Sequence, residues 1–368
     1  MSWQFEWRYD WPGPGTADIE QVWQTAWEKA PESNVFQQPL LSRIWVETVA
    51  RQRGEKPVLV IARKDRTTIY LPFTIKDYSW NRLWKRELWA LGGGLVFDYQ
   101  DPLLDGQPLS DEEWTNFWVN FYLNSKESGA NIVHFLHLLM SPPLAERIRL
   151  RLEPVKCKVT TVAPAIRMDQ YDSFDALLRS VQKRLREKVM QSMRIASKQN
   201  VSLVRFSGEN VREALSEFER MTRAYDLQHG GGKKVHLFSD PLNIEFYRNL
   251  IRHGLKAGWL DMSCLMLGKE TVNWHIGFIW KKRFYWYKPC YGTDRSHLSP
   301  GNLHIAYLLK EGFTEGWKLF DFTVGSEAYK LRWTSYAPEI YGISWYTDTV
   351  TSKVYKKVLR VANHLAEE

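Results

Sequence analysis

Cysteine is scarce in this sequence. Three thiols, Cys157, Cys264 and Cys290, lie far apart in 368 residues. An odd, scattered set excludes a disulfide framework and a CxxC-type metal site, so no metal is expected. Long apolar runs are also missing. Nothing approaches the roughly 20 consecutive apolar residues that a membrane helix requires, and no membrane span is expected. The first residues, MSWQFEWRYDWPGPG, have neither the basic n-region nor the apolar h-region of an export signal, which makes the cytoplasm the expected compartment. The glycine-rich stretch Leu91-Gly92-Gly93-Gly94-Leu95 runs into the acidic turn Asp98-Tyr99-Gln100-Asp101-Pro102 and has neither a Walker lysine nor GxGxxG spacing. A nucleotide-phosphate fingerprint is therefore excluded.

What is present is length, tryptophan and positive charge. A chain of 368 residues is too long for one ordinary core and implies two domains. The formal net charge of +8 suits an anionic partner such as a nucleotide, coenzyme A, a nucleotide-sugar, a lipid phosphate or RNA, without choosing among them. Indole rings stack on sugars and bases, but most of the 18 tryptophans are expected to fill cores.

In the first half, Ile19, Val22, Trp23 and Trp27 fall at helical spacing over 17–29, and a second amphipathic helix runs over 41–50. The runs 57–63 and 67–73 read as a hairpin about Lys64-Asp65-Arg66, with a third strand over 84–90. A helix over 111–126, a strand over 132–138 and a helix over 142–152 follow. This half ends near residue 155. The pattern then restarts with a strand over 159–168, one long helix from Asp172 or Ser173 to about Gln199, a strand over 201–206 and a helix over 209–226. A Gly230-Gly231-Gly232 loop, a helix over 241–257, and strands over 260–267, 271–280 and 283–289 come next. A helix over 302–315, strands over 319–323 and 341–346, and a C-terminal helix complete the chain. Consecutive strands with flanking helices indicate an α+β class with mixed central sheets, in domains 1–155 and 156–368.

The most informative stretch is Ser299-Pro300-Gly301-Asn302-Leu303 to Gly316, then Lys318-Leu319-Phe320-Asp321-Phe322-Thr323-Val324-Gly325-Ser326-Glu327-Ala328-Tyr329-Lys330-Leu331-Arg332-Trp333. It resembles the signature of CelD-type acetyltransferases of the GNAT superfamily, a bacterial group associated with cellulose and polysaccharide biosynthesis. In these, a Ser-Pro-Gly turn opens a helix and an Asp-Phe strand leads to Gly-x-x-x-Tyr-Lys. Fem-type peptidyltransferases share the fold and have a related glycine-to-lysine stretch. The likeness extends less sharply through Tyr291, Asp294, the arginine-rich segment 179–198, Phe36-Gln37-Gln38-Pro39 and Phe97 to Pro102. It implies tandem GNAT-like domains, acyl-CoA as co-substrate, and a sugar, nucleotide-sugar or polysaccharide precursor as acceptor of the acyl group. The Gln/Arg-x-x-Gly-x-Gly/Ala loop typical of GNAT coenzyme A sites is absent from this sequence.

At the turn, Ser299 as N-cap, Pro300 at the first helical position and Gly301 leave amide donors and the positive dipole end exposed. Together with Asn302 this end can hold a pyrophosphate; the alternative is a plain capped helix. The resemblance places a functional lysine at Lys330, which would stabilise the oxyanion formed when an amine or hydroxyl attacks a thioester, with Tyr329 beside it and Asp321, Gly325 and Glu327 shaping the site. Direct attack needs only a proton acceptor, for which His275, Asp294 and Glu327 are candidates, although His275 sits in the strand pattern 271–276, where a histidine is more often a hydrogen-bonded interior residue than a base. Cys290 has no His/Asn arrangement around it and is rejected as a nucleophile. Between 179 and 198 seven basic residues face one acid, Glu187, over a buried stripe of Phe174, Leu177, Leu178, Val181, Leu185 and Val189. Arg184 is the candidate there for a phosphate-rich ligand, and Tyr291 for the acceptor. The expected activity is acyl transfer. A Fem-like transferase using aminoacyl-tRNA and a non-catalytic GNAT-like binding protein are the alternatives.

Overall fold

The structure, a computed structural model, describes residues 2–80, 83–93, 96–152, 155–229, 236–292, 299–349 and 352, and everything below concerns these. It divides into two compact units, residues 1–161 with 339–368, and residues 162–338.

The first unit opens with β1 (Gln4–Arg8), α1 (Ala17–Lys29) and α2 (Pro39–Trp45), then β2 (Lys56–Lys64), β3 (Thr67–Trp80), β4 (Leu83–Ala90) and the short β5 (Leu103–Asp105). It continues through α3 (Asp111–Asn124), β6 (Ile132–Leu138), α4 (Pro142–Arg151) and β7 (Lys156–Val162). α1 buries Trp23 and Trp27 but leaves Val22 outward. α3 starts at a capping box in which Ser110 and Glu113 satisfy one another's backbone amides. Its Phe117, Trp118 and Phe121 pack on the sheet, where Phe135 meets Trp118 edge-on at 5.2 Å and Phe73 at 5.3 Å. Most of these large rings are core-fillers, the expected use of aromatic surface.

The second unit contains β8 (Ala165–Arg167), α5 (Phe174–Ser180), α6 (Lys183–Lys198), β9 (Val201–Phe206), α7 (Val211–Gln228), α8 (Pro241–Ala257), β10 (Leu260–Leu267), β11 (Glu270–Trp280) and β12 (Arg283–Tyr291). α9 (Pro300–Glu315), β13 (Leu319–Asp321) and the single turn α10 (Ala328–Leu331) follow, and the last strand, β14 (Glu339–Tyr346), returns to the first sheet.

Three expectations are corrected. The strand over 159–168 is two strands in two sheets, because Pro164 has no N–H to donate and interrupts the ladder. The long helix over 172–199 breaks at Val181, which turns extended and drops its side chain into the core beside Leu178 and Leu185. The strand placed in the second half by its position, β14, pairs antiparallel with β6, so the first unit includes the end of the chain rather than stopping at 155. The Gly230 loop, Asp294 and the C-terminal helix lie outside the described residues.

The two sheets repeat one topology. The first runs β1-β2-β3-β4-β6-β14-β7, with β5 beside β3, and the second runs β8-β13-β12-β11-β10-β9. In each, a strand and two helices lead to three antiparallel strands, and a further helix crosses over to a strand parallel to the third: β4 with β6 through α3, and β12 with β13 through α9. The halves therefore share an architecture of mixed sheets flanked by helices.

Candidate active site

Each parallel pair is short. β12 and β13 are in register only over Arg283 to Tyr285 against Leu319 to Asp321, and β4 and β6 only over Glu87 to Trp89 against Ile132 to His134. Where parallel strands part at their carboxyl ends, a crevice forms next to the crossover helix, the usual ligand position in such sheets. The two units treat that place differently.

In the first unit it is stitched shut. Gln100 accepts from the amides of Leu136 (2.7 Å) and His137 (3.3 Å) on β6 and donates to the carbonyls of Ala90 (3.2 Å) and Leu91 (3.1 Å) at the end of β4. The enclosed cavity nearby, lined by Trp23, Phe36, Tyr70, Phe97 and Gln100, measures about 20 Å³, room for a water and no more. The crossover helix α3 also carries Asp111, Glu112 and Glu113 in its first turn, which repel an anion.

In the second unit the crossover helix α9 has no acid in its first turn. Pro300 has no N–H, and the amides of Gly301 and Asn302 are the donors the helix leaves over. Ser299 departs from expectation. It sits in the left-handed region at φ 48° and makes no side-chain cap; its hydroxyl instead accepts from Asn302 Nδ2 at 3.1 Å. Among the described residues nothing would lie within 4 Å of a Cβ at Gly301, so a ligand can approach that backbone.

Asn302 joins this helix end to the Gly-x-x-x-Tyr-Lys segment: its Oδ1 accepts from Trp333 Nε1 at 3.3 Å, and the Trp333 amide donates to the Lys330 carbonyl at 3.0 Å. Lys330 is 4% exposed. Its Nζ donates to the Val324 carbonyl at 2.7 Å and lies 3.0 Å from Glu327 Oε2, whose own side chain is exposed. An ammonium has three donors, so among the described residues one N–H remains after these two partners. Gly325 makes the arrangement possible. A Cβ there would fall 2.2 Å from Glu327 Oε2 and 2.8 Å from Lys330 Nζ, and its φ of +130° is a region that only glycine occupies freely. Upstream, Asp321 Oδ1 accepts from the Thr323 amide at 2.7 Å, holding Thr323 at φ 58° and ending β13 two residues early. Burial pushes the Tyr329 hydroxyl well above its ordinary value, which keeps it a proton donor rather than a base.

The structure thus brings together Ser299, Pro300, Gly301, Asn302, Asp321, Gly325, Glu327, Tyr329 and Lys330. It does not bring Arg184, Tyr291 or His275 there. Arg184 is on the exposed face of α6, and Tyr291 is exposed at the end of β12; among the described residues neither contacts Lys330. His275, expected as a base, is fully buried. Its Nε2 accepts the Tyr287 amide at 3.1 Å and its ring stacks on Trp286 at 4.1 Å, so it has no access to a substrate proton. Glu327 remains as an exposed carboxylate at the site. Burial pushes the Cys290 thiol up to about 12, consistent with rejecting it as a nucleophile. Trp333 and Thr323 lay inside the recognised motif, but nothing in their spacing revealed that one bridges to α9 and the other sets the turn.

Residues 183–331, the part of the chain that holds this site, match the family model of the acetyltransferase (GNAT) domain. The second unit is GNAT-like, and the first repeats its order of strands and helices. The crystal structure of FemX aligns with 92% of this chain and 98% of its own, at a TM-score of 0.63 and 12% identity. The C-terminal domain of a putative lysylphosphatidylglycerol synthetase from Agrobacterium fabrum aligns over 93% of this chain and 96% of its own (TM-score 0.52, 8% identity). L-PGS from Bacillus licheniformis aligns over 86% and 95% (TM-score 0.50, 10% identity). At these identities the likeness concerns the fold. No curated protein matches the sequence. Among the described residues no helix is long and apolar enough to cross a membrane, and no group of three or more His, Cys, Asp or Glu side chains is placed to hold a metal.

Proposed function

We propose that the chain is an acyltransferase whose second GNAT-like unit moves an acyl group, in the first instance acetyl, from acyl-CoA to an amine or hydroxyl of a sugar, nucleotide-sugar or polysaccharide precursor. The observation that carries this reading is the buried Lys330 ammonium, held by Val324 and Glu327 with one donor to spare and tied through Trp333 and Asn302 to the open N-terminus of α9. The helix end suits the donor's phosphates. The remaining N–H of Lys330 would stabilise the oxygen of the tetrahedral intermediate, where negative charge develops as the nucleophile adds to the thioester carbon and before the thiolate leaves. Glu327 would accept the proton that the attacking amine or hydroxyl releases. No covalent enzyme intermediate is needed, because holding the two reactants together supplies much of the rate.

Saturable binding of acetyl-CoA at micromolar strength, measured by calorimetry, tests the donor. A chain that binds no acyl-CoA and instead binds tRNA would be a Fem-like aminoacyl transferase. That second reading is favoured by one feature, the exposed basic face of α6 formed by Lys183, Arg184, Lys188, Arg194 and Lys198, which suits a polyanion. Binding of neither would leave a non-catalytic GNAT-like protein.

A further inference from the structure

The ladder between β11 and β12 is broken at one place. Its register shifts between Ile276 and Phe278, and at that place the Tyr287 amide donates to a side chain, His275 Nε2. The ring is packed from every direction. It stacks on Trp286 (4.1 Å) and lies 5.9 Å from the His304 ring; a Cβ at residue 277 would sit 2.2 Å from His275 Cε1 and 2.3 Å from the Tyr285 carbonyl, so Gly277 leaves the room it needs. Asp261 of β10 places Oδ2 3.8 Å from Nδ1 and takes Arg205 Nε of β9 on its other oxygen at 2.8 Å; Arg205 in turn reaches Glu311 and Glu315 of α9. His304 Nε2 is 3.0 Å from Ser263 Oγ and its Nδ1 2.5 Å from Asn273 Oδ1, so it does not compete for the Tyr287 amide. The corresponding ladder of the first unit, β3 with β4, runs from Phe73 and Ala90 to Trp80 and Leu83 with no break.

The interruption falls next to the segment that builds the site. Trp286, one residue before the captured amide, offers its carbonyl to Thr323 Oγ1 across a long 3.5 Å contact, and the adjacent Val324 carbonyl anchors Lys330 Nζ. We infer that His275 is a positioning residue for the proposed transfer: by accepting the Tyr287 amide within the bulged ladder it fixes the course of β12, and through Trp286 and Thr323 it fixes the turn that holds Lys330. This rests on the acyltransferase reading for its consequence, but not for its geometry. The role requires a neutral acceptor at Nε2, which a glutamine oxygen supplies and a phenyl ring does not.

The experiment compares wild type, H275F, H275Q and K330M. It uses amide hydrogen exchange at Tyr287, thermal unfolding, and coenzyme A release from acetyl-CoA with hydroxylamine as a small nucleophile. In H275F the Tyr287 amide is expected to exchange about tenfold faster or more, with kcat down about tenfold and KM for acetyl-CoA within about twofold. H275Q restores both. In the K330M background H275F adds little, because the two act through one group. If H275F does not fold, H275N tests the same contact, because its shorter amide does not reach the position of Nε2, with the same expected loss of kcat. Unchanged Tyr287 exchange in H275F, or faster exchange with unchanged kcat, overturns the inference. So does a full additional loss in the K330M background. If wild type releases no coenzyme A, the donor reading falls and takes the catalytic consequence with it, while the exchange measurement still decides whether His275 holds β12.

Discussion

Lys330 combines burial with a partner set that leaves part of its hydrogen-bonding capacity unspent. Replacing it with methionine keeps the stem and removes the charge, and Glu327, exposed, stays solvated. The K330M protein is expected to unfold within a few degrees of wild type while turnover drops about tenfold or more, the usual scale for removing one charge-stabilising group. Coenzyme A release beside a melting curve checks this, and a folded variant with full turnover refutes the role. Gly325 makes the opposite prediction. G325A places a methyl against Glu327 and Lys330 in a backbone region foreign to side-chain-bearing residues, so it is expected to cost about 1–3 kcal/mol of stability as well as activity. Urea unfolding reads the stability loss directly. A G325A protein as stable as wild type would show that the 325–330 turn relaxes freely.

Elements carry the next set of effects. At the start of α9, N302D adds a negative charge where a helix dipole welcomes one, so the melting temperature is expected to hold or rise slightly. The same charge repels the donor's phosphates, and acetyl-CoA affinity is expected to fall about tenfold; affinity unchanged by N302D would remove the helix end from the donor site. The buried histidines of the second unit, His275 on β11 and His304 on α9, give a pH dependence. Burial pushes His275 and His304 below the ordinary 6.5, so both stay neutral in the folded chain. Below about pH 6.5 the unfolded chain binds protons that the folded one refuses, and stability falls as pH drops, by at most about 1.4 kcal/mol per pH unit for each histidine. In the first unit Glu87 is held down to about 2: burial raises it, but hydrogen bonds from His134, Lys85 and Trp89 outweigh that. Its contribution is present above 4.5 and is lost between 4.5 and 2. Hydrogen exchange at pH 7.0 and 5.5 is therefore expected to show the second unit loosening first. Earlier loss in the first unit would contradict this assignment. The sequence made most of these elements legible. Helix 17–29, strand 132–138 and the run of three strands from 260 were read from periodicity, because each buries one face against its own unit. The break at Val181 was not legible, because it is decided by the core its side chain reaches, which no local window contains, whereas Pro164 breaks its strand locally by having no N–H to donate. Likewise Lys330 was found through its motif, whereas the burial of His275 depends on Gly277 and Asp261, brought together only by the sheet.

At the scale of the whole chain, the first unit is discontinuous, closed by a strand that arrives after the entire second unit. β14 lies between β6 and β7, and its Ile343 and Trp345 belong to the first core, where Trp345 meets Phe121 edge-on at 5.7 Å and donates to Ser125 Oγ at 2.9 Å. Deleting residues 339–368 would strip an interior strand from this sheet, leaving backbone groups on both neighbours unpaired and a cavity the size of two large side chains. The second unit is one uninterrupted segment, 162–338, with its own core of Phe284, Trp286, Phe320 and the α9 leucines. The truncated chain is therefore expected to lose native exchange protection across β2 to β6 while retaining it across β10 to β13. Protection retained in β6 would mean that β14 is dispensable to the first sheet; loss in both units would mean that the second depends on the first for stability. With selective loss, acetyl-CoA binding by the truncated chain then asks whether the stitched first unit contributes to the donor site at all. The closure of its crevice by Gln100 and the acidic start of α3 predict that donor affinity survives the truncation.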